Sequence, residues 1–284
     1  MSLGRVYVRA PNHLGDGVMA RAAIAALAAA SARVVVAAPP FGPTLYRDLG
    51  VAVVERGHVP PADVAVLFAP SFRAAWEARG VRRRVGLTTD RRGLLLTDRV
   101  RPLGGHRSED YAALVEAIGV EVGAAPPYLP TDDERRDVEV PDQHTALVPL
   151  SPSGATVMWT GFEVLGGLVP HPVVYTGPGE HLDTRHQVIA NLPLGQLAAH
   201  FERAAVVVSN DSGLSHFARA VGIPTVVVFG STVPAQTGAG GSTAVEGPSP
   251  SCRPCYRKRC SRPTVECLDI PVERVLAAVE ELRG

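Results

Sequence analysis

An α/β fold in two parallel-sheet domains is what this sequence predicts, on three observations. Segments of strand character alternate with segments of helix character, the order that builds a parallel sheet. The strand-like runs at 206–208 and 225–229 are continuously apolar rather than alternating, which suits strands buried on both faces. At 120–143 the composition turns first to proline and then to charge, as at a domain boundary. The expected division is a domain over 1–130, a linker over 131–143 and a domain over 144–284. A chain of 284 residues accommodates two domains of ordinary size.

In the first domain, 5–9 reads as a strand. A glycine-containing loop, Ala10-Pro11-Asn12-His13-Leu14-Gly15-Asp16-Gly17, leads to an alanine-rich helix over 18–30. Strands are expected at 33–38, 51–55, 63–68 and 84–87, with helices at 44–49 and 72–79 and a further apolar segment at 93–98. Ser108 is placed to cap a helix over 109–118 that Gly119 ends. In the second domain, strands at 146–150 and 172–176 precede a helix at 193–204, and a last helix at 272–282 is expected to cross back to the first domain. Between them, residues 206–232 make one βαβ unit: a β-branched run, a break at Asn210-Asp211-Ser212-Gly213, a short helix stopped by Gly222, and a second buried run after Pro224.

The start of that helix sits at the carboxyl edge of its strand, where free backbone N–H groups and the positive dipole end can hold a phosphate. Ser212 adds a hydroxyl, and Gly213 allows close approach to the backbone. Asp211 would repel a diphosphate, so it fits a cap or a partner for sugar hydroxyls. His216 follows Ser212 by four residues and shares its side of the first turn. Taken alone, Asp-Ser-Gly is an ordinary capped turn.

Bulk properties narrow the class. Lys and Arg total 28 and Asp and Glu total 28, so nothing favours nucleic acid as a partner. Lys258 is the sole lysine. No apolar run reaches transmembrane length and no signal peptide opens the chain, which predicts a cytoplasmic location and leaves open a peripheral membrane contact. The first loop lacks the Gly-x-Gly-x-x-Gly of a dinucleotide site, which counts against a dehydrogenase.

The stretch from Ser209 to Thr232, with Asn-Asp-Ser-Gly-Leu-Ser-His, Gly-Ile-Pro and Phe-Gly-Ser-Thr in order, resembles the nucleotide-sugar motif of the heptosyltransferases of glycosyltransferase family nine. The first loop resembles that family's N-terminal motif, especially in the second-heptose type, with His13 in place of a tryptophan and Gly17 in place of an alanine. Residues 82–98, RRRVGLTTDRRGLLLTD, also match the family's N-terminal domain. The resemblance implies the GT-B architecture, two Rossmann-like domains with the active site between them. It implies inverting transfer of a sugar, heptose from ADP-heptose, to an acceptor hydroxyl of the lipopolysaccharide core or another glycan, with no cofactor required for catalysis. Heptosyl transfer to a small natural product, and nucleotide-sugar binding without turnover, are the alternatives.

The resemblance also assigns residues. Asp16 takes the place of the proposed base, where a positioned carboxylate accepts the acceptor's proton; the plainer reading is a helix-capping aspartate. Asn12, His13, Arg84, Arg91 and Arg92 are expected to hold an anionic acceptor, against the alternative of a solvated basic face. The donor would meet Ser153 and Thr156 of the loop 151–159, Glu180 through the ribose hydroxyls, and Asp211, Ser212, Gly213, His216, Ser231 and Thr232. Where the family has a lysine for the donor diphosphate, this chain has Val157; Arg185 or a C-terminal arginine is the expected substitute. Finally, Cys252, Cys255, Cys260 and Cys267 are spaced C-x₂-C-x₄-C-x₆-C among basic residues, open to a structural zinc, an iron–sulfur cluster or reduced thiols. A similar segment occurs in many second-heptose-type members.

Overall fold

The computed structural model describes residues 3–177 and 179–283; Met1 and Ser2 of the leading segment, Pro178 of the turn before Glu180, and Gly284 lie outside the described residues. The chain divides into two compact units, Met1–Pro126 and Pro127–Gly284.

The first unit holds β1 (Arg5–Arg9), α1 (Leu14–Met19), α2 (Arg21–Ala30), β2 (Arg33–Ala37), α3 (Gly42–Leu45), β3 (Ala52–Val54), β4 (Val64–Leu67), α4 (Phe72–Glu77), β5 (Arg83–Leu87), β6 (Asp98–Val100) and α5 (Arg107–Glu116). Its six strands are all parallel, in the order β3-β2-β1-β4-β5-β6. Strand order reverses at β1, so the loops after β1 and β4 part and leave a crevice at the carboxyl edge. The central strands are buried on both faces, Val6, Val8, Val64 and Val66 on one and Tyr7, Ala65 and Leu67 on the other.

The second unit holds α6 (Asp132–Arg136), β7 (His144–Val148), α7 (Phe162–Gly166), β8 (Pro172–Thr176), β9 (Gln187–Ala190), α8 (Leu194–Glu202), β10 (Ala204–Asn210), α9 (Gly213–Val221), β11 (Thr225–Phe229), α10 (Pro234–Thr237), β12 (Thr243–Glu246) and α11 (Val272–Arg283). Its sheet is also six-stranded and parallel, ordered β12-β11-β10-β7-β8-β9, with the switch point between β7 and β10. Val206, Val207 and Val208 of β10 are fully buried, each worth about 1.5–3 kcal/mol by area. The expected two-domain, Rossmann-like α/β class is what the strand orders give.

Several elements depart from the sequence reading. The first helix begins at Leu14, not at 18, because Gly15 and Gly17 are buried and helical. A Cβ at Gly17 would stand 3.0 Å from both the Phe41 ring and the Tyr46 hydroxyl, so glycine there is a packing requirement rather than a loop signal. His106, not Ser108, caps α5: its ring accepts from the Ser108 N–H. Within 131–143, Thr131 and Glu134 form a reciprocal capping box that starts α6, and Arg135 ties it to Glu202 of α8 at 2.6 Å. The last helix belongs to the second unit. Val275, Ala278 and Val279 of α11 enter the core of the second sheet, and Arg283 donates to Thr145 Oγ1 at 3.2 Å.

Candidate functional site

Each unit builds a site at the carboxyl edge of its own sheet. In the first unit β1 delivers the chain to His13, whose extended backbone starts α1 without a side-chain cap. Asp16 therefore sits in the first helical turn. What its carboxylate meets is Arg107, with Nε 3.8 Å from Oδ1, and Tyr111, whose phenol is pushed up by burial, then by the Asp16 charge, and also by a hydrogen bond with Asp16. Tyr46, buried and likewise raised by burial, feels the Asp16 charge too. Asp16 is thus a half-buried carboxylate with a guanidinium and the Tyr111 phenol at hand.

Beside it, Asn12 Oδ1 accepts from Arg9 at 2.8 Å and from Arg56 at 3.4 Å. Arg9, Asn12, Arg56, Ser71, Arg73 and Glu77 enclose a pocket of about 430 Å³. Arg9 is 6% exposed and its buried Nε finds no partner among the described residues. Three guanidiniums stand against one carboxylate, Glu77, which pairs with Arg73 at 2.7 Å, so the pocket has a cationic excess of the kind that suits an anion. Of its lining, sequence reasoning singles out Asn12 and misses the cations: Arg9 reads as a strand residue, and Arg56 and Arg73 come from segments distant in the chain.

The expected acceptor arginines stand elsewhere. Arg92 is fully buried, and its guanidinium donates to the carbonyls of Leu87 at 2.9 Å, Ser71 at 3.4 Å and Leu67 at 3.3 Å, and to that of Ala69. This corrects its reading as an acceptor ligand; every face of its fork is taken by backbone. Arg84 is likewise latched to the carbonyls of Leu95 and Val81. Arg91, at φ 52, and His13 are exposed.

In the second unit the loops after β7 and β10 flank the switch point. Asn210 locks them together, donating to Pro149 O at 2.6 Å and accepting from Trp159 N at 3.0 Å. Ser212 starts α9 in extended conformation with no side-chain cap. Its hydroxyl meets Ser209 Oγ at 3.1 Å and its carbonyl accepts from Ser215 Oγ at 2.7 Å. The half-buried Gly213 and Leu214 then offer first-turn N–H groups at the positive end of a nine-residue helix. Gly222, at φ 97, closes the helix. Asp211 accepts from Thr237 Oγ1 at 2.8 Å and is 8% exposed. His216 is buried in the same first turn. Glu180 folds back on its own turn, one oxygen accepting from Gly177 N at 2.6 Å.

Thr156 and Ser231 need correction as phosphate-holding hydroxyls. Ser231 Oγ donates to Thr156 Oγ1 at 3.1 Å, and Thr156 Oγ1 donates in turn to Arg257 O. The pair clasps loop to loop. Ser153 remains exposed. Thr232 is 9% exposed and its Oγ1 is buried without a partner among the described residues.

A cavity of about 850 Å³ opens nearby, walled by Trp159, Phe162 and Leu268 and rimmed by Glu163, Asp183 and Asp269. Those carboxylates repel a diphosphate, and none of the donor residues named above lines it. The α9 edge, not this cavity, carries the features of an anion site.

The four cysteines are free thiols. Cys252 is exposed, Cys267 is buried with its thiol pushed up by that burial, and Cys260 Sγ is turned to Thr264 O at 3.5 Å. Among the described residues no group of three or more His, Cys, Asp or Glu side chains comes together to hold a metal. The expectation of a structural zinc therefore finds no ligand cluster among the described residues to support it. Among the described residues no helix is long and apolar enough to cross a membrane.

Comparison with known proteins finds similarity in sequence over part of the second unit and in fold over nearly the whole chain. Residues 179–265 match the model of glycosyltransferase family 9 (heptosyltransferase). The chain is 40% identical over 81 residues to lipopolysaccharide heptosyltransferase 1 of Pseudomonas aeruginosa, a stretch that spans 28% of this chain and 23% of that relative. In fold it is similar to E. coli ADP-heptose lps heptosyltransferase II, with a TM-score of 0.78 at 18% identity over 98% of each chain. It is similar also to E. coli heptosyltransferase WaaC with ADP, with a TM-score of 0.70 at 15% identity over 98% of this chain and 99% of that one.

Proposed function

We propose that this chain, which resembles the family 9 heptosyltransferases in sequence over 179–265 and in fold over its length, is an inverting glycosyltransferase acting on ADP-heptose. The observation that carries the reading is the uncapped start of α9 at Ser212, set at the switch point of the second sheet inside the stretch that matches the family model. The N–H groups of Gly213 and Leu214 hold the diphosphate and stabilise the charge that grows on it as the anomeric C–O bond breaks. Glu180 and Asp211 are the carboxylates for sugar hydroxyls. The acceptor's hydroxyl oxygen forms the new bond on the opposite face of the anomeric carbon, its proton passes to Asp16, and ADP leaves.

On the acceptor side the pocket of Arg9, Asn12, Arg56 and Arg73 supports an anionic glycan. A lipopolysaccharide core sugar carrying a carboxylate or phosphate fits it better than a neutral natural product. The experiment is to supply ADP-heptose with a defined anionic core acceptor and follow ADP release and product mass. Product with inverted anomeric configuration is expected; no release of ADP with any acceptor would refute the reading.

One observation favours a second reading, nucleotide-sugar binding without turnover. Val157 is 2% exposed where the family's diphosphate lysine stands. Tight ADP-heptose binding with neither transfer nor donor hydrolysis would select it.

A further inference from the structure

Loop 151–157 brings no charge to the diphosphate position: Val157 points into the core and Thr156 is spent on the loop clasp. Another part of the chain lies over that loop. Cys255 N and Tyr256 N donate to Ser231 O at 3.0 and 3.3 Å. Arg253 donates to Thr232 O at 3.0 Å while pairing with Glu246 at 2.7 Å. Thr156 Oγ1 donates to Arg257 O. Gly154, at φ 105, lets the next residue of this segment close in: a Cβ at 154 would stand 2.5 Å from Lys258 O and 2.9 Å from its Cα. The backbone of 253–258 is therefore pinned to the loops after both β7 and β11, beside Thr232 Oγ1, which has no partner among the described residues.

That pinned turn carries Arg257, Lys258 and Arg259, all three exposed. The neighbouring carboxylates are already paired, Glu246 with Arg253 and Glu266 with Arg262 at 2.9 Å. Three adjacent cations repel one another unless an anion joins them, and a backbone anchored at four points presents them without the ordering cost of a free loop. We infer that Lys258, carried by the turn 257–259, is the cation that binds the donor diphosphate across loop 153–156, replacing a lysine that the loop itself lacks. This rests on the nucleotide-sugar reading above. It gives the cysteine-rich segment a role in donor binding that needs no metal: its turns set the arm.

The test is calorimetric titration of the full chain with ADP and with adenosine, for the unaltered protein, Lys258→Ala and Lys258→Arg. The expected result is that Lys258→Ala weakens ADP tenfold or more, leaves adenosine within twofold, and keeps the melting temperature, while Lys258→Arg restores most of the loss. The ADP affinity of the unaltered protein should also fall more steeply with salt than that of Lys258→Ala. A loss of ADP affinity under threefold, or an equal loss for adenosine, overturns the assignment. If the unaltered protein binds neither ADP nor ADP-heptose, the nucleotide-sugar reading itself falls, and this inference with it; ADP binding that is indifferent to Lys258 removes this inference alone.

Discussion

Gly154 and Lys258 touch through their main chains, so closely that a Cβ on Gly154 would stand 2.5 Å from the Lys258 carbonyl oxygen. Gly154 also holds φ 105, a conformation L side chains rarely adopt. Gly154→Ala meets both obstacles, and the obstructing atom is backbone, which cannot rotate away. The variant should lose roughly 1–3 kcal/mol of unfolding free energy in urea. It should also bind ADP more weakly, because the basic arm is displaced. An alanine variant with unchanged urea midpoint and unchanged ADP affinity would show that the arm is not held as the contact implies.

Asp16→Asn keeps the size of the side chain and removes its charge. Arg107 and Tyr111 remain to hold the amide. Stability should change by no more than about 1 kcal/mol and ADP binding by less than twofold, whereas transfer should fall by about 10²–10⁴. Turnover close to that of the unaltered enzyme would remove the base assignment, and a large stability loss would return Asp16 to a structural role.

The architecture was legible because buried parallel strands announce themselves: the apolar runs at β1, β2, β4, β10 and β11 need no partner to be recognised. The edge strands β9 and β12 were not, since Gln187–Ala190 is largely exposed and Thr243–Glu246 buries only Val245, so neither has a continuous apolar run. The α9 turn was legible for a different reason: strand, uncapped serine and glycine are contiguous. Arginines gave the poorest guidance. Arg92 and Arg73 look alike in the sequence, yet one is sealed beneath four carbonyls and the other faces a pocket. Lys258 reads as part of the basic surroundings of the cysteines; only the fold lays it on Gly154.

Arg92→Ala tests the corrected role. The guanidinium bridges the carboxyl ends of β4 and β5 through the carbonyls of Leu67, Ala69, Ser71 and Leu87. Removing it leaves buried acceptors unpaired and opens a cavity, at a cost of about 3 kcal/mol or more. Lysine cannot reproduce the planar fork, so Arg92→Lys should recover little of the loss. Chemical denaturation reads the effect. Unaltered stability combined with a raised acceptor KM would reinstate Arg92 as an acceptor ligand.

The pH dependence of stability should trace to His144. This ring is fully buried; Nδ1 meets Pro141 O at 3.0 Å and Nε2 meets the Tyr175 hydroxyl at 3.0 Å, which in turn meets His200 Nδ1 at 3.4 Å. A neutral His144 that donates from Nδ1 and accepts from Tyr175 at Nε2, with His200 donating to the tyrosine oxygen, satisfies all three groups. Protonating His144 would set two donors against each other. Burial pushes its pKa down to about 4, and burial lowers His200 in the same direction. The unfolded histidine titrates near 6.5, so below that value the unfolded chain binds the proton first. Stability is therefore fully present above pH 6.5 and declines as pH falls toward 4, by on the order of 3 kcal/mol from this residue. The carboxylates paired with arginine, such as Asp98 and Asp142, act only at lower pH, because their folded pKa values are held down by Arg83 and Arg203. Unfolding free energies measured at pH 7 and pH 5 should differ in the unaltered protein, and the difference should shrink in His144→Gln. An equal slope in both proteins would move the origin of the effect away from this network.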